Sequence, residues 1–131
     1  MFRTAKTGVD VQDQLSQLPV THMTFHVEGG WLVVGPTGLF VLTTDDGDDL
    51  EGAARRAVER ANEVRERLSL ELAWVPYVDA LVATNDPDGP MHLPCLAVPA
   101  DLLTGAIVEG PQTIDDETLN TLGRLRLNRA F

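Results

Sequence analysis

The chain has 131 residues and a mass of 14.3 kDa, which suits one domain spanning 1–131 and is too short for two ordinary ones. Hydrophobic residues make up 44% and charged residues 23%, a globular mixture that excludes wholesale disorder. Twenty acids against ten bases give a net charge of −10, which disfavours a phosphate backbone as a direct partner, since that binding needs several Lys or Arg contacts. No apolar run approaches the roughly 20 residues that span a bilayer. The opening Met1-Phe2-Arg3-Thr4-Ala5-Lys6 lacks the apolar core of a secretion signal. A single cysteine, Cys95, excludes an internal disulfide framework and a cysteine-based zinc site, so the expected home is the reducing cytoplasm.

Taken in chain order, residues 9–18 read as a short helix with Val9, Val11, Leu15 and Leu18 near helical spacing, stopped by Pro19. Residues 22–28 alternate Met23, Phe25 and Val27 against Thr24 and His26, which predicts a strand. Gly29-Gly30 marks a tight turn, Trp31-Leu32-Val33-Val34 a strand apolar on both faces, and Gly35-Pro36-Thr37-Gly38 a second turn. Residues 39–44 supply a third strand, completing a meander whose centre is covered on both sides. The acidic Asp45-Asp46-Gly47-Asp48-Asp49 then leads into a helix over 50–70. Its stripe is Leu50, Ala54, Val58, Ala61, Val64 and Leu68, with Glu51/Arg55 and Glu63/Arg67 on the outer face. Residues 77–84 predict a buried strand, 85–90 a loop dense in turn residues, and 91–98 another short strand interrupted by Pro94. A short helix over 100–107 follows. A final helix runs to about residue 128, opened by a cap pairing Thr113 with Asp116 and buried through Leu119, Leu122 and Leu125. This order predicts an α/β fold in three layers, one mixed sheet with an N-terminal antiparallel meander flanked by helices.

The run Trp31-Leu32-Val33-Val34-Gly35-Pro36-Thr37-Gly38-Leu39-Phe40-Val41-Leu42 resembles the core of the nuclease-related domain (NERD) family, within the restriction-endonuclease-like PD-(D/E)XK class. Gly8 with the helix after it, the long helix, the Val75-Pro76 strand and residues 93–103 are similar to further segments of that family. The resemblance implies a restriction-endonuclease-like sheet. It also implies four catalytic positions, and each is changed here. The family's opening Glu falls at Val9, its metal-binding Asp at Gly30, its strand-end Glu at Thr43 and its Lys at Asp45. Such nucleases need carboxylates converging on a divalent metal, and a Lys to orient water or stabilise charge. Gly and Thr cannot supply those anionic ligands, and Asp at the Lys position reverses a charge. The expectation is therefore a catalytically degenerate member with no cofactor.

Other chemistry-bearing residues form no recognised constellation. Glu28, Asp45 and Asp46 are the relocated acids on which an alternative reading rests, a divergent Mg²⁺- or Mn²⁺-dependent nuclease acting on DNA; the simpler reading is a solvated acidic turn. Asp86 and Asp88 lack the spacing and distant Glu of a calcium loop. His22, His26 and His92 lack zinc pairing with a Glu base, and Cys95 sits in an apolar segment typical of inert packing cysteines. No glycine-rich phosphate loop precedes a helix. The expected function is a non-catalytic interaction or scaffolding module whose partner is a basic protein surface or a second copy. Trp31, Asp45, Asp46, Asp48 and Asp49 are its candidate contact residues.

Overall fold

Three apolar runs divided by two glycine-bearing turns leave the chain one economical way to pair its backbone, an antiparallel meander. In the computed structural model, which describes residues 11–27, 29–44, 50–72, 74–84 and 95–124, these runs are β1 (Met23–Val27), β2 (Gly30–Gly35) and β3 (Gly38–Thr44). Val27 pairs with Gly30 and Gly35 with Gly38, so each connection is a two-residue turn. Gly29 has φ +81°, a left-handed conformation that costs a glycine little. Helix α2 (Leu50–Ser69) carries the chain back to β4 (Val78–Thr84), which lies parallel to β3, and β5 (Leu96–Pro99) joins parallel to β4. The sheet order is β1-β2-β3-β4-β5.

Helices cover both faces of the sheet. Helix α1 (Val11–Ser16) and α3 (Leu103–Val108, preceded by a 3₁₀ turn, Ala100–Leu102) pack with Val33, Phe40, Leu42, Leu81 and Val98. The opposite face receives α2 and α4 (Asp116–Arg124) against Leu32, Val34, Leu39 and Val41. This is why β2 and β3 read as continuous apolar runs: a strand buried on both sides has no polar face to alternate with. Edge strand β1 does alternate, with Thr24 and His26 exposed. Leu32, Leu39 and Leu42 are fully buried, and truncating any one to Ala costs about 2–5 kcal/mol at such sites.

Helix α2 buries a stripe wider than its leucine and valine spacing predicts, because Ala53 and Ala57 join Leu50, Ala54, Ala61, Val64 and Leu68. Small residues let the helix axis approach Val82 and Ala97 closely. Outside, Arg55 meets Glu51 at 3.4 Å as expected, while Arg60 meets Glu63 at 2.7 Å. The last helix is capped differently from the expectation. The Asp115 carboxylate accepts from the Thr118 backbone N–H at 2.8 Å, whereas Thr113 donates its own N–H to the Pro36 carbonyl. The predicted ends at residues 9, 91–94 and 125–128, Leu125 included, lie outside the described residues. Among the described residues no helix is long and apolar enough to cross a membrane.

Candidate functional site

Gly30 and Thr43, two of the four changed positions, meet where β3 ends beside the start of β2. Trp31 pairs with Leu42 there, which sets Gly30 beside Thr43. Gly30 lies so close to β3 that a Cβ built on it would run into the Leu42 carbonyl oxygen and reach its carbon at 3.1 Å. No side chain fits this backbone, an aspartate included. Thr43 is only 3% exposed, and its hydroxyl donates to the Ala53 carbonyl at 2.9 Å. That bond ties the end of β3 to the first turn of α2 and satisfies a polar group that would otherwise be buried unpaired. At these two positions, packing leaves no room beside Gly30 and the Thr43 hydroxyl is taken up by Ala53.

Trp31 is half-buried on the α1/α3 face. Its indole N–H donates to Gln12 Oε1 of α1 at 3.2 Å, and its ring lies 6.3 Å from that of His26 at a tilt of 45°. The indole therefore pins α1 to the sheet while leaving part of its surface accessible. Val9, Glu28, Asp45, Asp46, Asp48, Asp49, Asp86, Asp88 and His92 lie outside the described residues. Helix α2 carries Arg55, Arg56, Arg60, Arg65 and Arg67 against Glu51, Glu59, Glu63 and Glu66. Its charges nearly balance, so the acid excess of the chain belongs to other elements.

His22, which lacks zinc pairing in the sequence, performs a structural task. Thr37 donates its hydroxyl proton to the Ile107 carbonyl at 2.6 Å, so the bond between His22 Nε2 and Thr37 Oγ1 at 3.2 Å needs Nε2 as donor. The neutral ring then accepts at Nδ1 from the Thr21 hydroxyl, 3.0 Å away. Its face lies against Gly35, where a Cβ would collide with it. This chain links the start of β1, the β2–β3 turn and the end of α3, and burial holds the imidazole below its ordinary pKa.

At the opposite end of the sheet is a cavity of about 380 Å³ that sequence reasoning did not single out. It runs along the first residues of β4, between α2 and Leu96. Asp79 lines it and makes no hydrogen bond or ion pair among the described residues; desolvation pushes its carboxyl above the usual range. Cys95 also lines it, with its thiol 3.7 Å from the Ala54 carbonyl and burial raising its pKa, the reverse of an activated nucleophile. Asn62 and Arg65 of α2 stand at the rim, joined by a 2.7 Å bond from the guanidinium to Asn62 Oδ1. The available signal was Asp79 itself, an acid within the otherwise apolar run of residues 77–84.

Comparison with known proteins adds no relative: no protein-family model, curated protein or solved structure matches this chain.

Proposed function

We propose that this chain is a non-catalytic descendant of the restriction-endonuclease-like fold, similar to the NERD family, working in the cytoplasm as an acidic protein-interaction or scaffolding module. One observation carries the reading. The backbone at Gly30 excludes any side chain where the resembled nucleases hold a metal-binding Asp. Its neighbour Thr43 spends its hydroxyl on Ala53 rather than on a ligand. An antiparallel meander, a crossover helix and a parallel strand are also what the resemblance implies for the core. Hard divalent cations require several preorganised oxygens, and phosphodiester hydrolysis requires such a cation or an equivalent positive charge. The acid-rich surface suits a basic partner patch, or a basic patch on a second copy, and raises encounter rate more than affinity.

Titration calorimetry with Mg²⁺ and Mn²⁺, run beside a plasmid-nicking assay, tests the proposal. The expected result is neither saturable metal binding nor nicking. Tight binding together with nicking, both lost in Asp45→Asn, would establish instead a metal-dependent nuclease built on Glu28, Asp45 and Asp46. Affinity capture from the native host is then expected to return a basic protein rather than DNA at physiological salt.

A further inference from the structure

Helix α4 carries Asp116, Asn120 and Arg124 at four-residue steps, so the three lie along one ridge of the helix. All three are exposed, and all three line a trough of about 650 Å³ between α4 and the lead into β1. The apolar part of its lining includes Leu119 and Met23, half-buried against the core, and Val20, which is 99% exposed. A valine left wholly in water adds nothing to the fold and has apolar surface to give to a partner.

The order of charge along the ridge specifies the partner. It runs from an acid through an amide to a base, over about 12 Å of helix axis. Turned end over end, the same ridge runs from base to acid. Two copies of α4 laid antiparallel therefore set Asp116 of each against Arg124 of the partner subunit and bring the two Asn120 amides together at the axis. A uniformly basic surface would gain at Asp116 and be repelled at Arg124, so the ridge matches itself better than it matches such a surface. A chain of net charge −10 repels its own copies over most of its surface, so a self-contact needs a place where a base is offered to an acid. We infer that the α4 ridge and its trough form a two-fold self-association face, through which two copies of this chain pair with their α4 helices antiparallel. Burial of Val20, Met23 and Leu119 supplies the hold, and the two reciprocal ion pairs set the register. The inference rests on the interaction-module reading and names a second copy as its partner; the nicking assay tests that reading, and the mass of the assembly tests this one.

Sedimentation equilibrium of the full chain, from micromolar to millimolar concentration, is the test. The apparent mass is expected to rise from monomer to dimer and no further, since a two-fold contact closes on itself. Asp116→Arg and Arg124→Asp should each raise the dissociation constant at least about tenfold, because each turns both ion pairs into repulsions. Mixed in equal amounts, these two variants should pair with each other, and the double variant Asp116→Arg/Arg124→Asp should recover the dimer. Both reversals oppose the α4 dipole, so a dimer lost only through fraying of the helix would not return in the double variant. Asn120→Lys leaves the helix ends untouched and should also abolish the dimer, by setting two like charges at the axis. A wild-type chain that stays monomeric throughout, single reversals that pair as tightly as the wild type, or a mixture or double variant that stays monomeric would each overturn the proposal.

Discussion

The two ends of the sheet solve the same problem in opposite ways. Every strand terminus leaves backbone and side-chain polar groups that need partners. Where β3 ends, the need is met internally: Gly30 admits no side chain, and the Thr43 hydroxyl is bonded to Ala53. Where β4 begins, Asp79 lines a cavity and has no hydrogen-bond or ion-pair partner among the described residues. Burial is what separates them. Thr43 is 3% exposed and cannot be left without a partner, whereas Asp79 is exposed and can be met by water. At the first end Gly30 and Thr43 have their needs met by packing and bonding, and at the other, to which no motif pointed, Asp79 has no partner among the described residues.

Substitution at Gly30 tests the first end most severely. Gly30→Ala should cost about 3 kcal/mol in urea denaturation, the upper range for overpacking a close backbone contact, and Gly30→Asp at least as much without creating nuclease activity. A loss below about 0.5 kcal/mol would mean that the strands part easily there and that the contrast is wrong. Thr43→Val should cost about 1 kcal/mol by removing the buried bond from the hydroxyl to the Ala53 carbonyl. A smaller change is expected from pH acting on His22. The unfolded chain takes up its proton near the ordinary value of 6.5, the folded chain only at lower pH. The contribution of neutral His22 is therefore complete above about pH 6.5 and is lost as pH falls through the lowered folded value. Denaturation midpoints across that window should show this slope, flattened in His22→Gln. At the start of β4, Asp79→Asn should change stability by no more than about 0.5 kcal/mol, since no partner is lost. Its sign is also set. The raised pKa means that ionising Asp79 weakens the fold slightly as pH rises past 3.8, a decline that the Asn variant should lack.

Much of the architecture was legible because it is periodic. The alternation over residues 23–27 identified a strand with one face buried, and the unbroken apolar runs at 31–34 and 39–42 identified strands covered twice. The turn at residues 35–38 and the helix from Leu50 were equally plain, since glycine, proline and a 3.6-residue repeat act locally. The cap of α4 was misread because Thr113 and Asp115 are both good caps in sequence. Only the pull of Pro36 on the Thr113 N–H decides which of them serves the helix. The width of the α2 stripe was missed for a related reason: alanine is neutral in periodicity, and closeness to Val82 is what makes Ala53 and Ala57 core residues.

By composition and pattern alone, the chain determined that it forms one α/β layer structure with an acidic balance. Local sequence suffices for that, because strand and helix periods and net charge are sums over neighbouring residues. Tertiary structure alone decided that Gly30 admits no side chain, that His22 takes the Nε2–H tautomer, and that Asp79 lines a cavity with no partner among the described residues. Each depends on an atom brought close from elsewhere in the chain, and no window of sequence contains that distance.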